Sequence, residues 1–370
     1  MKILFLGDYS NLHACLANEL KLRGHEVKVV SHRDTYMKTY SDIFLKREPG
    51  IIGGFSYLFK IFSLLPKLKD FDVVQLVNPN FLSLRPGKIK YFFDYLRDRN
   101  RSMFLTLAGN DYFFVRDCMK GDLFRFSEFK VGNKPTEFLI SDPDHAYGWI
   151  SNLNRDLNTY IYNNIDGAMS VLPEYDMVAR PILGDRLAFT NIPVELSSLP
   201  YSPLEINGPL RLFIGLRGGM EIQKGTARLL EISKDLEREM PGKVKVETAR
   251  NLSLKDYLER MKNTHFVLDQ LFSYSPATNA LQAMALGRVA GSGAEPEYYS
   301  YIGNPQERPV FRLSPLITDL KERLRSLILN PAPLYRMSRE GRKLVERHND
   351  VAVVADRFLN HWNSILASKG

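Results

Sequence analysis

The strongest constraint on the fold is an alternation of short apolar runs with helically spaced segments, and it occurs in two successive blocks. The first block has apolar runs at 2–6 and 27–30 that predict strands. The second block has equivalent runs at 210–214, 244–247 and 266–268. Strand–helix–strand units of this kind form parallel, doubly wound sheets. The sequence therefore predicts an α/β protein with two Rossmann-like halves.

A proline-rich stretch with weak patterning divides the two blocks. It comprises 191–193 and 200–209, and its composition is typical of a linker. We therefore expect an N-terminal domain at 1–195 and a C-terminal domain at 205–350. The helix predicted at 351–370 has apolar residues at every third or fourth position, and we expect it to cross back to the first domain.

The net charge of +8 and the sequence pI near 9.2 suit acidic partners such as nucleotides, phosphates or an anionic membrane, and they equally suit plain solubility. Nucleic acid is not an expected partner, because no basic and aromatic residues are interleaved along a strand. Cys15 and Cys118 lie far apart and outside any zinc spacing, which favours a reduced, cytoplasmic setting. The first apolar run is too short for a signal peptide, and no run approaches a membrane span.

The segment 266–297 carries the clearest binding pattern of the chain. An apolar run ends before Asp269, and Ser275 is predicted as the N-cap of the next helix, with Pro276 as its first residue. Thr278 and Asn279 then fall in the first helical turn. Free backbone N–H groups and the helix dipole favour an anion there.

A second cationic pattern follows the first strand of the C-terminal half. Arg217 lies in a glycine-rich turn, and Lys224 lies in the segment 223–226 that is predicted to open the next helix. A planar guanidinium fork and an ammonium group together can hold a diphosphate. The pattern is not a P-loop, since GxxxxGK[ST] is absent. The turn after the first strand, GDYSNL, also lacks the GxGxxG of dinucleotide-binding proteins.

Polar residues also follow two predicted strands of the N-terminal half, where doubly wound sheets bind their ligands. Asn11 is equally suited to capping the first helix. The candidates on this side are Asp8, Asn11, His13, Asn110 and Asp111.

Taken together, these segments resemble the retaining GT-B glycosyltransferases of group 1, family-four type, over nearly the whole chain. The likeness rests on the GDYSN-type first loop, AGND at 108–111, the Arg217/Lys224 pair, and the helix LQAMALG with Pro296-Glu297 downstream. It implies a GT-B fold, in which two Rossmann-like doubly wound parallel-sheet domains face a cleft. It also implies a nucleotide-sugar on the second domain, a glycan or lipid-linked acceptor on the first, and no metal or other cofactor.

The resemblance further implies roles for individual residues. Asp111, Arg217 and Lys224 would take part in catalysis, and the loop at 250–254 would lie near the base. The donor-binding residues would be Arg217, Lys224, Arg250, Leu252, Ser275, Thr278, Asn279, Gln282 and Glu297. The acceptor-side residues would be Asp8, Asn11, His13 and Asn110.

The chain departs from the family pattern at the sugar site. Two glutamates eight residues apart are expected there, and this sequence has Tyr274 and Gln282 instead. Ala108 replaces the usual histidine near the donor sugar. Gln282 can still bond a ribose hydroxyl, but a tyrosine cannot replace a carboxylate that contacts the sugar. Two alternatives to a transferase therefore stay open: a non-catalytic relative that binds nucleotide or glycan, and a sugar-nucleotide epimerase.

Three further patterns have competing interpretations. The Asp-x-Asp matches at 70–72 and 142–144 could hold Mg²⁺ or Mn²⁺ but are short enough to arise by chance, so no metal is expected. The polar and aromatic residues at 145–149 could form an acceptor platform or simply pack at an edge. The segment 51–69 is either an amphipathic helix that touches anionic lipid, which would place the protein at the inner membrane face, or a core helix with a solvated edge.

Overall fold

A computed structural model describes residues 1–32 and 41–369, which form two compact units. The first unit comprises Met1–Arg116, Tyr147–Pro193 and Val351–Gly370, and the second comprises Asp117–Ala146 and Val194–Asp350. The segment 117–146 falls within the predicted N-terminal domain, whereas the structure groups it with the second unit. Its ion pairs and aromatic contacts join residues far apart in the chain, which local patterns cannot reveal.

The strands are short. In chain order they are β1 (Lys2–Leu6), β2 (Glu26–Ser31), β3 (Ile43–Phe44), β4 (Val73–Leu76), β5 (Met103–Leu107), β6 (Lys130–Val131), β7 (Lys134–Pro135), β8 (Gly167–Ser170), β9 (Leu187–Phe189), β10 (Leu210–Leu216), β11 (Val244–Arg250), β12 (Phe266–Leu268), β13 (Val289–Ser292) and β14 (Phe311–Arg312). Of these, β4, β5, β8, β12 and β13 are buried along their whole length.

Helices separate most consecutive strands. They are α1 (Leu12–Leu22), α2 (Gly50–Leu64), α3 (Pro86–Arg97), α4 (Tyr112–Lys120), α5 (Glu137–Ser141), α6 (Pro143–Trp149), α7 (Asn152–Asn164), α8 (Pro173–Leu183), α9 (Glu221–Lys224), α10 (Thr226–Glu239), α11 (Leu254–Lys262), α12 (Thr278–Ala285), α13 (Pro296–Tyr301), α14 (Leu320–Leu329), α15 (Ala332–His348) and α16 (Val351–Ser368). Within the described residues, none of these helices has both the length and the apolar character needed to cross a membrane.

The first unit is built on a seven-stranded sheet in the order β3-β2-β1-β4-β5-β8-β9, and all of its pairings are parallel. The central strands read as continuous apolar runs because helices cover both faces of such a sheet. α16 belongs to this unit, where it packs against α1, β8 and β9. Its Trp362 is fully buried, and the indole N–H donates to Gln75 Oε1 at 2.9 Å.

The second unit has a five-stranded parallel sheet in the order β11-β10-β12-β13-β14. Its core joins aliphatic residues of the strands to leucines of α10 and α14. Residues 117–146 add the antiparallel hairpin β6–β7 and the short helix α5, which packs against α9. Because the sheet is parallel, the carboxyl ends of all five strands lie along one edge.

Candidate functional site

The loops that follow β10, β12 and β13 meet at the carboxyl edge of the second sheet. The N–H of Leu271 donates to the carbonyl of Lys224 at 2.9 Å, so the end of α9 lies against the loop that leads into α12. The N–H of Glu295 donates to the carbonyl of Tyr274 at 2.9 Å, which ties the same loop to the start of α13. These contacts bring the predicted cationic turn and the predicted anion-binding helix to one place.

The N-cap residue of α12 makes no side-chain capping bond. The helix begins at Thr278, and its N-cap residue is Ala277, which has no side chain able to cap. The predicted N-cap Ser275 and first helical residue Pro276 therefore lie two residues too early, and Ser275 is fully buried in the loop before the helix. Thr278 and Asn279 do lie in the first turn as predicted. The start of a helix presents backbone N–H groups and the positive dipole end, and both favour an anion.

Asn279 is fixed by its own hydrogen bonds. Its Nδ2 donates to Asp269 Oδ1 at 3.0 Å, and its Oδ1 accepts the hydroxyl of Tyr257 at 2.7 Å. The second carboxylate oxygen of Asp269 accepts the hydroxyl of Ser292 at 3.1 Å. The Asn279 side chain therefore orients the first turn of α12, while the backbone N–H groups of that turn remain the groups suited to a ligand.

A glycine on β10 makes room for this network. A Cβ placed on Gly215 would lie 2.1 Å from the hydroxyl oxygen of Tyr257. That hydroxyl could not then stay in place to reach Asn279. Glycine is required here for close approach, and its effect is transmitted to α12 through one hydroxyl.

The two predicted diphosphate cations lie on the turn after β10 and on α9. Arg217 is exposed and Lys224 is half-buried, and neither forms an ion pair with any residue that the structure describes. The predicted placement of Lys224 at the opening of the long helix needs correction. Lys224 is the last residue of α9, and Gly225, with φ of +71°, separates α9 from α10.

The remaining predicted donor residues lie around this edge. Arg250 ends β11 and forms an ion pair with Glu221 of α9 at 2.8 Å, so its guanidinium is already partnered. Leu252 is partly buried in the loop before α11. Gln282 is partly exposed on α12, four residues after Thr278, and positions four apart share one helix face.

Glu297, the last predicted donor residue, belongs to a cluster of four charged side chains. Arg125 Nη1 lies 2.6 Å from Glu297 Oε1, and Arg125 Nη2 lies 2.8 Å from Glu295 Oε2. The other oxygen of Glu295, which is fully buried, accepts Nε of Arg312 at 2.8 Å. The cluster pairs two guanidinium groups with two carboxylates, so its formal charge is zero and it does not by itself attract an anion.

The electrostatics of the cluster agree with this pairing. Partial burial alone would raise the pKa of Glu297. The hydrogen bond from Arg125, a backbone hydrogen bond and the charges of Arg125 and Arg312 together outweigh burial and hold that pKa below its usual range. The hydrogen bond between the two side chains also raises the pKa of Arg125. Both groups are therefore charged at neutral pH, and the pair anchors the segment 117–146 to the start of α13.

Tyr274, which stands at a position where the resemblance implies a glutamate, binds the same segment. Its ring stacks on Phe126 with centroids 4.6 Å apart and meets Phe124 edge-on at 5.4 Å. Its hydroxyl accepts the backbone N–H of Arg125 at 2.6 Å. Tyr274 is buried, and burial raises its pKa. Tyr274 therefore packs against the segment 117–146, as a buried apolar residue does.

In the first unit, the turn after β1 is built around Asp8 and His13. Asp8 Oδ1 accepts the N–H of His13 at 2.9 Å in the first turn of α1, so this carboxylate caps the helix. Asn11 is the N-cap residue by position, with φ of 65° and no side-chain capping bond. His13 is fully buried, with Nδ1 2.7 Å from the Gly7 carbonyl and Nε2 2.9 Å from Thr106 Oγ1. Both ring nitrogens already have partners within the protein, so neither nitrogen is available to bind an acceptor substrate.

Asp111 and Asn110 follow β5. Asp111 is buried, Oδ1 accepts the N–H of Phe114 at 2.7 Å, and Oδ2 accepts the hydroxyl of Tyr162 at 2.6 Å. Burial raises the pKa of Asp111. The backbone carbonyl of Asn110 accepts Asn78 Nδ2 at 3.1 Å, which fixes the turn. Asp111 therefore serves as a helix cap, and both of its oxygens are engaged within the first unit.

The remaining sequence patterns have structural partners. Asp72 of the first Asp-x-Asp match accepts the N–H of Lys2 at 2.7 Å. His145 meets the ring of Phe138 edge-on at 5.3 Å, as the packing interpretation predicted. Across residues 1–32 and 41–369, no group of three or more His, Cys, Asp or Glu side chains converges as a metal site requires.

Sequence reasoning missed three residues that shape the site: Tyr257, Arg125 and Glu295. Glu295 lay inside the segment 266–297, and its neighbour Glu297 was chosen instead. Arg125 is 170 residues before Glu295, so no spacing rule joins them. Tyr257 lies among the apolar positions of its helix, and no sequence pattern shows that its hydroxyl makes a hydrogen bond near the site.

No model of a known protein family matches the sequence, and no curated protein matches it. Solved structures do match. Sucrose-phosphate synthase from Thermosynechococcus elongatus has a TM-score of 0.65 at 12% identity, with 100% of both chains covered. HepE from Anabaena, in complex with UDP and glucose, has a TM-score of 0.61 at 13% identity, covering 98% of this chain and 100% of that one. The lipopolysaccharide outer core galactosyltransferase WaaB has a TM-score of 0.54 at 14% identity, with 100% of both chains covered.

At sequence identities this low, the TM-scores and the coverage show that these proteins share a fold with this chain. Two doubly wound parallel sheets of seven and five strands, matched along their whole length, are the GT-B fold of glycosyltransferases. The fold class predicted from the sequence is therefore confirmed.

Proposed function

We propose that the protein is a glycosyltransferase that takes a sugar from a nucleoside diphosphate donor. One observation carries this proposal: the first turn of α12 lies on a sheet edge that also bears Arg217 and Lys224, two cations that form no ion pair with a described residue. A diphosphate group fits such a site, because helix N–H groups and two cations complement its charge. HepE, which has the same fold, is described in complex with UDP and glucose, and this supports the assignment.

The proposed reaction breaks the bond between the anomeric carbon and the β-phosphate oxygen of the donor. The bonding electrons leave with the diphosphate, and an acceptor hydroxyl oxygen bonds to the anomeric carbon and loses its proton. Arg217, Lys224 and the first turn of α12 would stabilise the charge that grows on the leaving group, as preorganised donors do. Retention of the anomeric configuration is part of the proposal and comes from the family resemblance.

The other donor residues take supporting roles in this proposal. Gln282, one turn after Thr278 on the same face of α12, would bond a ribose hydroxyl. Arg250 and Leu252 would border the base, with Arg250 held by Glu221. Ser275 and Glu297 would position the loop and α13, since Ser275 is buried and Glu297 is paired.

The acceptor would bind the first unit, at the turns that carry Asp8, Asn11 and Asn110. His13 and Asp111 would position these turns from beneath, given their burial and their partners. A glycan or lipid-linked acceptor, as in polysaccharide biosynthesis, is supported by the lipopolysaccharide-directed activity named for WaaB. A lipid-linked acceptor would require the enzyme to work at a membrane surface.

A second function is favoured by one observation. Tyr274 and its partners Phe124 and Phe126 fill a position where a sugar-contacting carboxylate is expected. A protein that binds a nucleotide or a glycan without turning it over would show this replacement.

Turnover separates these functions. Sugar nucleotides of different base and sugar are incubated with the protein and a panel of glycan and lipid-linked acceptors, and free nucleoside diphosphate is measured. A transferase releases nucleoside diphosphate only when acceptor is present, and NMR of the product gives its anomeric configuration. Binding without release under every condition would favour the non-catalytic function, and conversion of the donor sugar without acceptor would indicate an epimerase.

A further inference from the structure

Helix α2 presents an apolar face to solvent. Its two buried residues are Tyr57 and Ile61, and the Tyr57 hydroxyl accepts the N–H of Ser83 at 3.2 Å. These contacts hold the helix to the first unit by one side only. The opposite side carries a run of large apolar residues that are 49–86% exposed: Ile51, Ile52, Phe55, Phe59 and Phe62.

The exposed residues form one continuous stripe. At about 100° per residue, all five fall within an arc of roughly 100°, which is the width of a helix face that normally packs on a core. The stripe continues onto α3, where Tyr91 is exposed and its ring lies 6.3 Å from that of Phe62. The sequence left open whether 51–69 is a core helix or an interfacial one, and this exposure favours the interfacial interpretation.

Basic residues border this stripe. Between 44 and 69 the chain has five Lys or Arg and one acidic residue, Glu48. Lys60 lies on α2 itself and Lys67 in the turn after it, both are exposed, and neither forms an ion pair with a described residue. Lys88 is likewise exposed on the neighbouring α3. An apolar stripe with a basic margin is the composition of helices that lie in a lipid interface.

We propose that this face of α2 binds the surface of an anionic lipid bilayer, with the aromatic side chains in the interface and the lysines at the headgroups. Fifteen residues are too few to span the hydrocarbon core, so the helix would lie along the surface. A second copy of the chain fits less well, because a symmetric pair would bring two basic margins together in a protein of net charge +8.

Flotation with vesicles tests this proposal on the intact protein. Wild type is mixed with phosphatidylcholine vesicles, or with vesicles in which part of this lipid is replaced by phosphatidylglycerol, and the floated fraction is measured. We expect binding to the anionic vesicles that weakens with added salt, and much weaker binding to the neutral ones. Failure of wild type to float with anionic vesicles, or equal binding to both kinds, would overturn the proposal.

Two variants of the α2 region, with one control variant elsewhere, assign the binding to α2. Phe55→Ser/Phe59→Ser is expected to lower the partition coefficient by at least about tenfold, because two apolar side chains leave the interface. Leu22→Ser/Leu329→Ser removes two similarly exposed leucines elsewhere and should float as wild type does. Lys60→Glu/Lys67→Glu should weaken binding to anionic vesicles. Unchanged flotation of the Phe55/Phe59 variant would contradict the assignment to α2.

Sedimentation velocity tests the alternative that a second copy of the chain binds this face of α2. A wild-type dimer that becomes a monomer in the Phe55→Ser/Phe59→Ser variant would assign the face to a second copy and overturn the membrane proposal. Wild type that is monomeric without lipid supports it. No residue of α2 is among the proposed donor-binding residues, so neither result bears on the proposed transferase function.

Discussion

Arg125 and Glu297 form a bidentate, end-on ion pair, with Nη1–Oε1 at 2.6 Å and Nη2–Oε2 at 3.1 Å, between residues 172 positions apart in the chain. The pair joins the segment 117–146 to the start of α13, beside the loop that leads into α12. Two parallel hydrogen bonds fix the geometry as well as the distance. The candidate donor site therefore depends on a segment that comes from the first half of the sequence.

Loss of this pair should loosen the segment 117–146. Arg125→Gln is expected to cost about 0.5–1 kcal/mol in unfolding free energy, a modest figure because the guanidinium is half exposed. Limited proteolysis should cut the segment faster than in wild type. A double-mutant cycle with Glu297→Gln should return a coupling energy of the same size. Arg155→Gln, which breaks an exposed pair, is the control, and a coupling energy of zero would mean that the pair does not anchor the segment.

The Tyr257 hydroxyl should strengthen binding of the sugar-nucleotide donor, although Tyr257 itself is buried. Tyr257→Phe removes the donor to Asn279 Oδ1, and one hydrogen bond of this kind is worth about 1 kcal/mol. We expect a dissociation constant for nucleoside diphosphate raised about threefold to tenfold, with little change in melting temperature. Gly215→Ala should act in the same direction by displacing that hydroxyl. If Tyr257→Phe binds as wild type does, Asn279 does not orient the first turn of α12.

Buried His13 should make the protein less stable in acid. Burial lowers the pKa of His13 to about 3, whereas an unfolded chain has the ordinary value near 6.5. Below pH 6.5 the unfolded chain takes up a proton that the folded protein refuses, so the unfolding free energy falls as the pH drops toward 3. The slope is at most about 1.4 kcal/mol per pH unit. Burial lowers the pKa of His265 to about 4, which adds a slope of the same sign between pH 6.5 and 4.

Urea unfolding at several pH values between 7 and 4 measures this effect. His13→Asn should be less stable at pH 7, because it loses the contact with Thr106, but its stability should vary less with pH. His32→Asn replaces an exposed histidine and serves as the control variant. An equal slope in wild type and His13→Asn would show that the imidazole of His13 is protonated in the folded state.

The sequence predicted the sheets better than the site. β1 and β12 were predicted to the residue, because buried strands read as continuous apolar runs. The edge strands β3 and β14 have only two residues each, too few for a period to be recognised. Central strands of each sheet could therefore be predicted from the sequence, whereas the edge strands β3 and β14 could not.

At the site, local sequence patterns identified candidate residues by type but did not predict their burial or their hydrogen-bond partners. Ser275 satisfies the rule for an N-cap, yet it is buried in the loop and α12 begins after Ala277. Asp111 was chosen for its carboxylate, and the structure commits that carboxylate to Phe114 and Tyr162. Burial and hydrogen-bond partners decide such roles, and both depend on residues that are distant in sequence.

Calorimetric titration with nucleoside diphosphates tests the central claim most directly. Wild type should bind at least one nucleoside diphosphate, and Arg217→Ala/Lys224→Ala should bind it at least about 100-fold more weakly, because each of the two charge-assisted hydrogen bonds is worth about 1.5–3 kcal/mol. Lys234→Ala/Arg238→Ala removes the same charge from an exposed face of α10 and should bind as wild type does. The account is contradicted if no nucleoside diphosphate binds, or if the Arg217/Lys224 variant binds as tightly as wild type.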